Sequence, residues 1–178
     1  NTIGMSPVGN IERITQDRVI TLFTKPDGLN YTYLGNWHER PDNSNIEEGL
    51  LSNYLHENGY TQTLIKKAIY ELKKVAGVQN KNLYGINKDV YTILRYGAKV
   101  REDVGENTQT VRLIDWENPQ NNHFAIAEEV SIKGENRKRP DIVIYVNGIA
   151  LGVLELKRST VSVSEGIRQN LDNQKSMF

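Results

Sequence analysis

The chain contains no cysteine among its 178 residues. Disulfides and thiolate metal sites are therefore excluded, and the composition suits a reducing, cytoplasmic setting. Neither sign of charge is in excess, because 22 Lys plus Arg balance 22 Asp plus Glu. A protein that coats nucleic acid generically needs a strong basic excess, so that class is set aside, although an acidic metal site can offset basic patches elsewhere. No apolar run approaches the roughly 18 residues of a membrane span, and no signal-peptide pattern opens the chain. The three histidines, His38, His56 and His123, are too scattered to suggest a metal site, and no Ser-His-Asp triad can be argued from them. There is no internal repeat, no low-complexity stretch and no Gly-x-x-x-x-Gly-Lys-Ser/Thr phosphate loop. The length fits one domain with a proper core.

The hydrophobic pattern changes character along the chain. Pro7 to Phe23 has helical spacing, and Tyr31 to Leu34 reads as a short strand. After a polar loop over His38 to Asn45, Ser44 or Asn45 can cap a helix from Ile46 to Glu57 that closes at Asn58-Gly59. Thr61 to Val75 predicts a second helix, with Leu64, Ile65, Ala68, Ile69 and Leu72 on one stripe, and Asn82 to Tyr96 a third. From there the pattern turns to strands over Lys99 to Glu102, Gln109 to Asp115, Phe124 to Ile132, Ile142 to Val146 and Ile149 to Leu156. A last helix is expected over Ser164 to Lys175. Because the chain stops inside it, we expect a piece of something longer. Helices, an antiparallel-rich sheet and a closing helix give an α+β or α/β sandwich.

The most informative stretch is Arg139 to Arg158, RPDIVIYVNGIALGVLELKR. Asp141, Glu155 and Lys157 are charged residues set into two otherwise apolar strands joined by Asn147-Gly148. Ionised groups avoid strand interiors unless they are paired or bind metal. Two carboxylates and a lysine on a hairpin are the minimum for holding a divalent cation beside a phosphodiester and activating a water. The bare string is weak, at roughly one chance match per chain of this size, so context must supply specificity. Period-two alternation puts Val153, Glu155 and Lys157 on one face and Leu154 and Leu156 on the other.

Asp141 must reach that face too. A two-residue Asn147-Gly148 turn would set it opposite Leu154, on the wrong side. A three-residue loop of Val146, Asn147 and Gly148 sets it opposite Val153 and diagonal to Glu155 at about 7–8 Å, and a bulge elsewhere does the same. The competing reading makes Pro140-Asp141 a turn and Glu155–Lys157 a surface ion pair. Against it, the two strands are apolar enough to be covered on both faces. In the helix expected from Ile46, Glu47 falls at the centre of the apolar arc of Ile46, Leu50, Leu51, Tyr54 and Leu55, with Glu48 toward its edge. A glutamate there either takes a buried hydrogen bond or adds a third carboxylate to the site.

Glu47 on an early helix, Arg139-Pro140-Asp141 and Glu155-Leu156-Lys157 resemble the PD-(D/E)xK nuclease superfamily. More narrowly, Asn36-Trp37-His38, Ser44 to Glu48, Lys133 to Asn136 and Arg139 to Asn173 are similar to the N-terminal nuclease domain of the motor subunit of type I restriction-modification enzymes. The likeness spans nearly the whole chain. It implies an α/β fold with a restriction-endonuclease-like core, a mixed central sheet flanked by helices, with residues 1–178 as one endonuclease domain. It implies a Mg²⁺-dependent endonuclease acting on double-stranded DNA, with Asp141, Glu155 and Glu47 as metal ligands and Lys157 orienting the attacking water or pairing with the scissile phosphate. The family's subunits continue into an ATP-driven DNA translocase and assemble with methyltransferase and specificity subunits. Similar nucleases carry Gln-x-x-x-Tyr on the next helix. Gln169 fits that pattern and joins the expected catalytic set, but Asn173 stands where Tyr would be and can neither stack on DNA nor donate a phenolic hydrogen bond. The alternative is a non-catalytic nuclease-like module that docks DNA or a subunit. Arg137, Lys138, Arg139, Arg158 and Arg168 are candidates for phosphate contacts or for a solvated loop. Tyr31, Tyr33, Trp37 and Trp116 are expected to pack rather than stack on bases.

Overall fold

A computed structural model describes residues 7–78, 81–131 and 139–156 together with Ser164, Ile167, Arg168, Leu171 and Asp172, with 7–11 described in their backbone alone. The elements are α1 (Pro7–Thr24), β1 (Thr32–Asn36), α2 (Glu48–Glu57), α3 (Gln62–Ala76), α4 (Leu83–Tyr96), β2 (Ala98–Val100), β3 (Gln109–Val111), a 3-10 turn (Pro119–Asn121), β4 (Phe124–Glu128), β5 (Ile142–Val146) and β6 (Ile149–Leu154). A four-stranded sheet has the order β1-β4-β5-β6, with β1 parallel to β4, and β2-β3 is a separate antiparallel pair. This is the mixed α/β architecture that the resemblance implies. Ser164, Ile167, Arg168, Leu171 and Asp172 are helical, whereas the other residues of the expected last helix, Gln169 and Asn173 included, lie outside the described residues. Among the described residues no helix is long and apolar enough to cross a membrane.

Two compact units divide the chain, one made of residues 1–43, 124–145 and 151–177 and the other of 44–123 and 146–150. In the second unit, Leu64, Ile65, Ala68, Ile69 and Leu72 of α3 are buried against Leu51, Tyr54 and Leu55 of α2 and against Val100, Val111 and Leu113. Thr61 Oγ1 caps α3 by accepting from Leu64 N, and Asn82 Oδ1 caps α4 by accepting from Gly85 N. Such caps satisfy donors that the first helical turn leaves orphaned. In the first unit β4 is buried at Ala125, Ile126, Ala127 and Glu128, and Trp37 packs on Tyr145 with ring centroids 5.5 Å apart.

Two expectations need correction. The helix expected from Ile46 begins at Glu48, so Glu47 is its N-cap residue rather than a position on its buried arc. Residues 45–47 are held by the hairpin instead: Ile46 bridges Ile149, Ala150 N donates to Asn45 O, and Glu47 N donates to Gly148 O. The hairpin loop has two residues, not three, because Val146 ends β5 and Ile149 begins β6. Asn147 and Gly148 have φ of 52° and 82°, the pair of positive values that a type I′ turn requires.

This turn is seated with unusual closeness. The Asn147 side chain is fully buried and makes three hydrogen bonds, accepting from His123 N and donating to Leu113 O and Asn122 Oδ1. A Cβ on Gly148 would lie 2.7 Å from Glu47 O and 2.8 Å from Leu51 N, so only glycine fits. Asn147→Ala takes a partner from the part-buried His123 N–H and from the buried Leu113 carbonyl, while Asn122 Oδ1 keeps its bond from Asp115 N, which should lower stability by about 2–3 kcal/mol. Asn147→Gly should cost about 1 kcal/mol less, because glycine carries no left-handed strain. Equal denaturation midpoints for wild type and Asn147→Ala would reject this account of the turn.

A second buried polar cluster ties α1 to the first unit's sheet. The Glu128 carboxylate, 2% exposed, accepts from Arg13, from Gln16 Nε2 at 2.8 Å and from the Tyr33 hydroxyl at 2.7 Å. Burial pushes the Glu128 carboxyl up, but the hydrogen bonds from Tyr33, Arg13 and Gln16 outweigh it and hold the group below its ordinary 4.5. Burial, reinforced by the bond to Glu128, pushes the Tyr33 hydroxyl up to about 12. The depressed Glu128 therefore contributes stability that is complete above 4.5 and lost as pH falls through its lowered value. The raised Tyr33 contributes fully below its ordinary 10 and fades as pH climbs toward about 12. Wild type should resist denaturant better than Glu128→Gln at neutral pH, and the gap should close in acid. A gap that persists unchanged in acid would show that the carboxylate's charge is not the stabilising feature.

Candidate functional site

Asp141 sits immediately before β5 and Glu155 immediately after β6, so the two lie at the same end of one hairpin. Both are half-buried. The Asp141 Oδ2 accepts a hydrogen bond from Leu156 N at 2.6 Å, which sets its carboxylate against the Glu155–Leu156 peptide. On the other side, Glu129 N donates to the Asp141 carbonyl at 3.0 Å. The Asp141 segment is thus held from both neighbouring strands.

With a two-residue turn, uninterrupted pairing would place Ile144 opposite Leu151 and point Gly152 to the other face. The geometry differs. A Cβ on Gly152 would lie 3.4 Å from both Cβ and Cδ1 of Ile144, so positions 144 and 152 share a face. One extra residue on β6 between Ile149 and Gly152, where Leu151 is 46% exposed, accounts for this. The same count sets Asp141 opposite Glu155, which agrees with the bond to Leu156 N. The turn type on which the sequence reasoning relied is absent, and an irregularity of β6 does its work.

The remaining expected residues fare differently. Glu47 is half-buried, its side chain makes no capping bond, and it belongs to the second unit, whereas Asp141 and Glu155 belong to the first. Glu48 is exposed and paired with Lys73 at 2.6 Å. Lys157 and Gln169 lie outside the described residues, as do Arg137, Lys138 and Arg158. Arg139, a candidate for phosphate contact, pairs through Nε with Glu129 Oε2 at 2.5 Å. Trp37 is buried, and Tyr31 packs between Phe23 and Phe124, as expected of packing residues. Trp116 donates from Nε1 to Leu94 O and remains 42% exposed.

The sequence reading missed the carboxylates of β4. Glu128 and Glu129 follow a run of small apolar residues and read as the polar end of a strand, yet Glu128 is buried and Glu129 adopts φ of 55°. A left-handed non-glycine residue beside a site is a strain that the surroundings must over-determine. Here Arg139 and Gln16 both reach the Glu129 carboxylate. The usable signal was Phe124 to Ile132 itself, because a glutamate pair inside a run apolar enough for a central strand needs partners.

Among the described residues no group of three or more His, Asp or Glu side chains is arranged to hold a metal ion. The donor chemistry of Asp141 and Glu155 nonetheless fits a hard divalent cation, which prefers carboxylate and carbonyl oxygens.

The family model of the type I restriction enzyme R protein N terminus matches residues 12–178. The chain is 34% identical over 96 residues to the putative type I restriction enzyme MjaIXP endonuclease subunit of Methanocaldococcus jannaschii, covering 51% of this chain and 9% of that protein. It is 31% identical over 113 residues to the putative MjaVIIIP endonuclease subunit of the same organism, covering 64% and 10%. It is 35% identical over 75 residues to the type I restriction enzyme HindI endonuclease subunit of Haemophilus influenzae, covering 40% and 7%. In each case the match spans a tenth or less of the relative's length. With nearly its whole length matched by that one model, the chain belongs to the family of type I restriction enzyme R protein N termini.

Proposed function

We propose that this chain is the endonuclease domain of a type I restriction enzyme, hydrolysing phosphodiester bonds of double-stranded DNA with a divalent cation, Mg²⁺. The observation that carries this reading is the Asp141 carboxylate fixed on Leu156 N beside Glu155, at one end of an otherwise apolar hairpin. Asp141 and Glu155 would hold the cation through oxygen. When bound, the cation lowers the pKa of the attacking water and stabilises charge developing on the phosphoryl oxygens. Lys157 would orient that water or pair with the scissile phosphate, and Gln169 would add a polar contact. Glu129 and Arg139 act on the segment's position: their ion pair, with the Glu129 N–H on the Asp141 carbonyl, fixes where the Asp141 carboxylate starts from.

In the full subunit, ATP-driven translocation by further domains delivers DNA to this site, and methyltransferase and specificity subunits complete the assembly in the cytoplasm. The absence of cysteine is compatible with that compartment.

Asp141→Asn is the sharpest probe, because it keeps an acceptor for Leu156 N while removing the charge. The melting temperature without metal should stay close to wild type. Removing even an outer-shell partner of a metal costs about 10–100-fold in affinity or activity, so losing this ligand should weaken Mg²⁺ or Mn²⁺ binding by about 100-fold or more. Calorimetric titration that shows undiminished metal affinity in Asp141→Asn would reject the site.

In the full-length subunit, Asp141→Ala or Glu155→Ala should abolish cleavage and leave ATP hydrolysis and translocation intact. Cleavage near the wild-type rate in both would favour a non-catalytic docking module.

A further inference from the structure

The formal neutrality of the chain conceals a sharp segregation of charge. Residues 62–101 carry nine Lys or Arg against two Asp or Glu, whereas the rest of the chain is acidic. This stretch is α3, α4 and β2, all within the second unit. The hydrophobic stripe of α3 is buried, so its cations are forced onto the opposite arc: Lys66, Lys67, Lys73 and Lys74 are all exposed, with Tyr70 among them at 63% exposure. An open cleft of about 670 Å³ between α2 and α3 is lined by Lys66, Tyr70, Lys73 and Lys74, and its one carboxylate, Glu48, is already paired with Lys73. The outer arc of α4 repeats the composition at one-turn spacing with Tyr84, Lys88, Tyr91 and Arg95, of which Tyr84 is 78% and Tyr91 57% exposed. Lys66 and Lys88 form no ion pair among the described residues, and Arg95 lies over the Trp116 ring at 5.5 Å.

We propose that the exposed faces of α3 and α4 form a docking surface for the phosphate backbone of duplex DNA, built from other residues than the carboxylates of the hairpin. Charge complementarity selects a polyanion, and the residue types select which. Lysine is depleted in protein–protein interfaces, whereas it serves well as a point-charge phosphate binder, and tyrosine hydroxyls also contact phosphates. Spacing agrees as well. Lys66 and Lys73, two helical turns apart, are separated by about 10 Å along α3. That is close to the axial rise of three nucleotides, at about 3.4 Å each, along one strand. This inference deepens the reading above, because it names where the duplex is held rather than where it is cut.

The test is carried out on the 178-residue chain with a generic duplex of about two helical turns, in EDTA, following fluorescence anisotropy across a salt series. Omitting metal reads the docking face alone: an inactive metal site would leave this result standing, and a failure here would leave the metal site standing. The triple variant Lys66→Glu, Lys74→Glu, Lys88→Glu should reduce the slope of log affinity against log salt by about 0.9 for each phosphate no longer neutralised, two to three in all. Arg18→Glu, Lys25→Glu, Arg112→Glu makes the same change in net charge at exposed positions elsewhere and should leave the slope nearly unchanged. Circular dichroism checks that both remain folded. Equal loss in the two variants would overturn the proposal in favour of overall charge. An unchanged slope in the first would overturn it too, and retention of an acidic polypeptide by wild type but not by that variant would then assign the face to a protein partner.

Discussion

The second unit's fold depends on the seating of one turn. Asn147 and Gly148 occupy backbone conformations that few residues tolerate, and each is needed for a different reason. Gly148 allows the Glu47 carbonyl and the start of α2 to approach to within the space a methyl group would fill. Asn147 joins Leu113, Asn122 and the His123 backbone into one polar network. Asn122 extends the network to Asp115, whose N–H it accepts and whose carbonyl it donates to. Such a network is stabilising only when every member is satisfied, so it fixes one arrangement of the turn and excludes slipped ones. β5 and β6 run out from this turn, and the irregularity of β6 beyond it sets which face Ile144 and Gly152 share.

The first unit solves a related problem with ions. Four donors from Arg13, Gln16 and Tyr33 converge on the Glu128 carboxylate, although Asp17 also competes for Arg13 at 2.8 Å. Glu128 contributes little through Coulomb attraction to the half-exposed Arg13, because solvent screens that pair. It contributes more by saturating its acceptor sites inside a strand buried on both faces. The next residue, Glu129, is turned into the left-handed region and thereby addresses Arg139 and the Asp141 backbone. The buried carboxylate thus anchors the strand, and its strained neighbour passes that anchoring on to the segment carrying Asp141.

Much of this was legible from the residues. Helix and strand identities follow from periodicity because α3 and α4 bury continuous stripes, and Thr61 and Asn82 cap where cap residues are expected. The hairpin of β5 and β6 was legible from its two apolar runs about Asn147-Gly148, although Asp141 and Glu155 stand just outside the strands rather than within them. The details that failed share one cause, which is tertiary pairing overriding a local pattern. Ile46 and Glu47 have helical spacing, yet their backbone groups are taken by the hairpin, so α2 starts later than its hydrophobic arc. The turn length could not be read from Asn-Gly alone, since two- and three-residue loops accept the same dipeptide and an extra residue on β6 restores the face. Glu128 was missed because burial of a polar residue is set by partners more than ninety positions away, which no local window contains.

Charge segregation reconciles the chain's neutrality with a role on DNA. A uniformly neutral surface would offer a polyanion no net counterion release, but affinity depends on the local set of phosphates neutralised rather than on the total. Nine cations against two anions over residues 62–101 would constitute such a set, and the acidic surplus elsewhere would limit how tightly the chain as a whole held DNA. Weak, salt-sensitive contact would suit the proposed function, because a nuclease that bound duplex tightly on its own would cut wherever it landed. Under the proposed docking, the even charge balance would itself be a restraint: the local basic face would hold the duplex, and the acidic remainder of the chain would keep that hold weak.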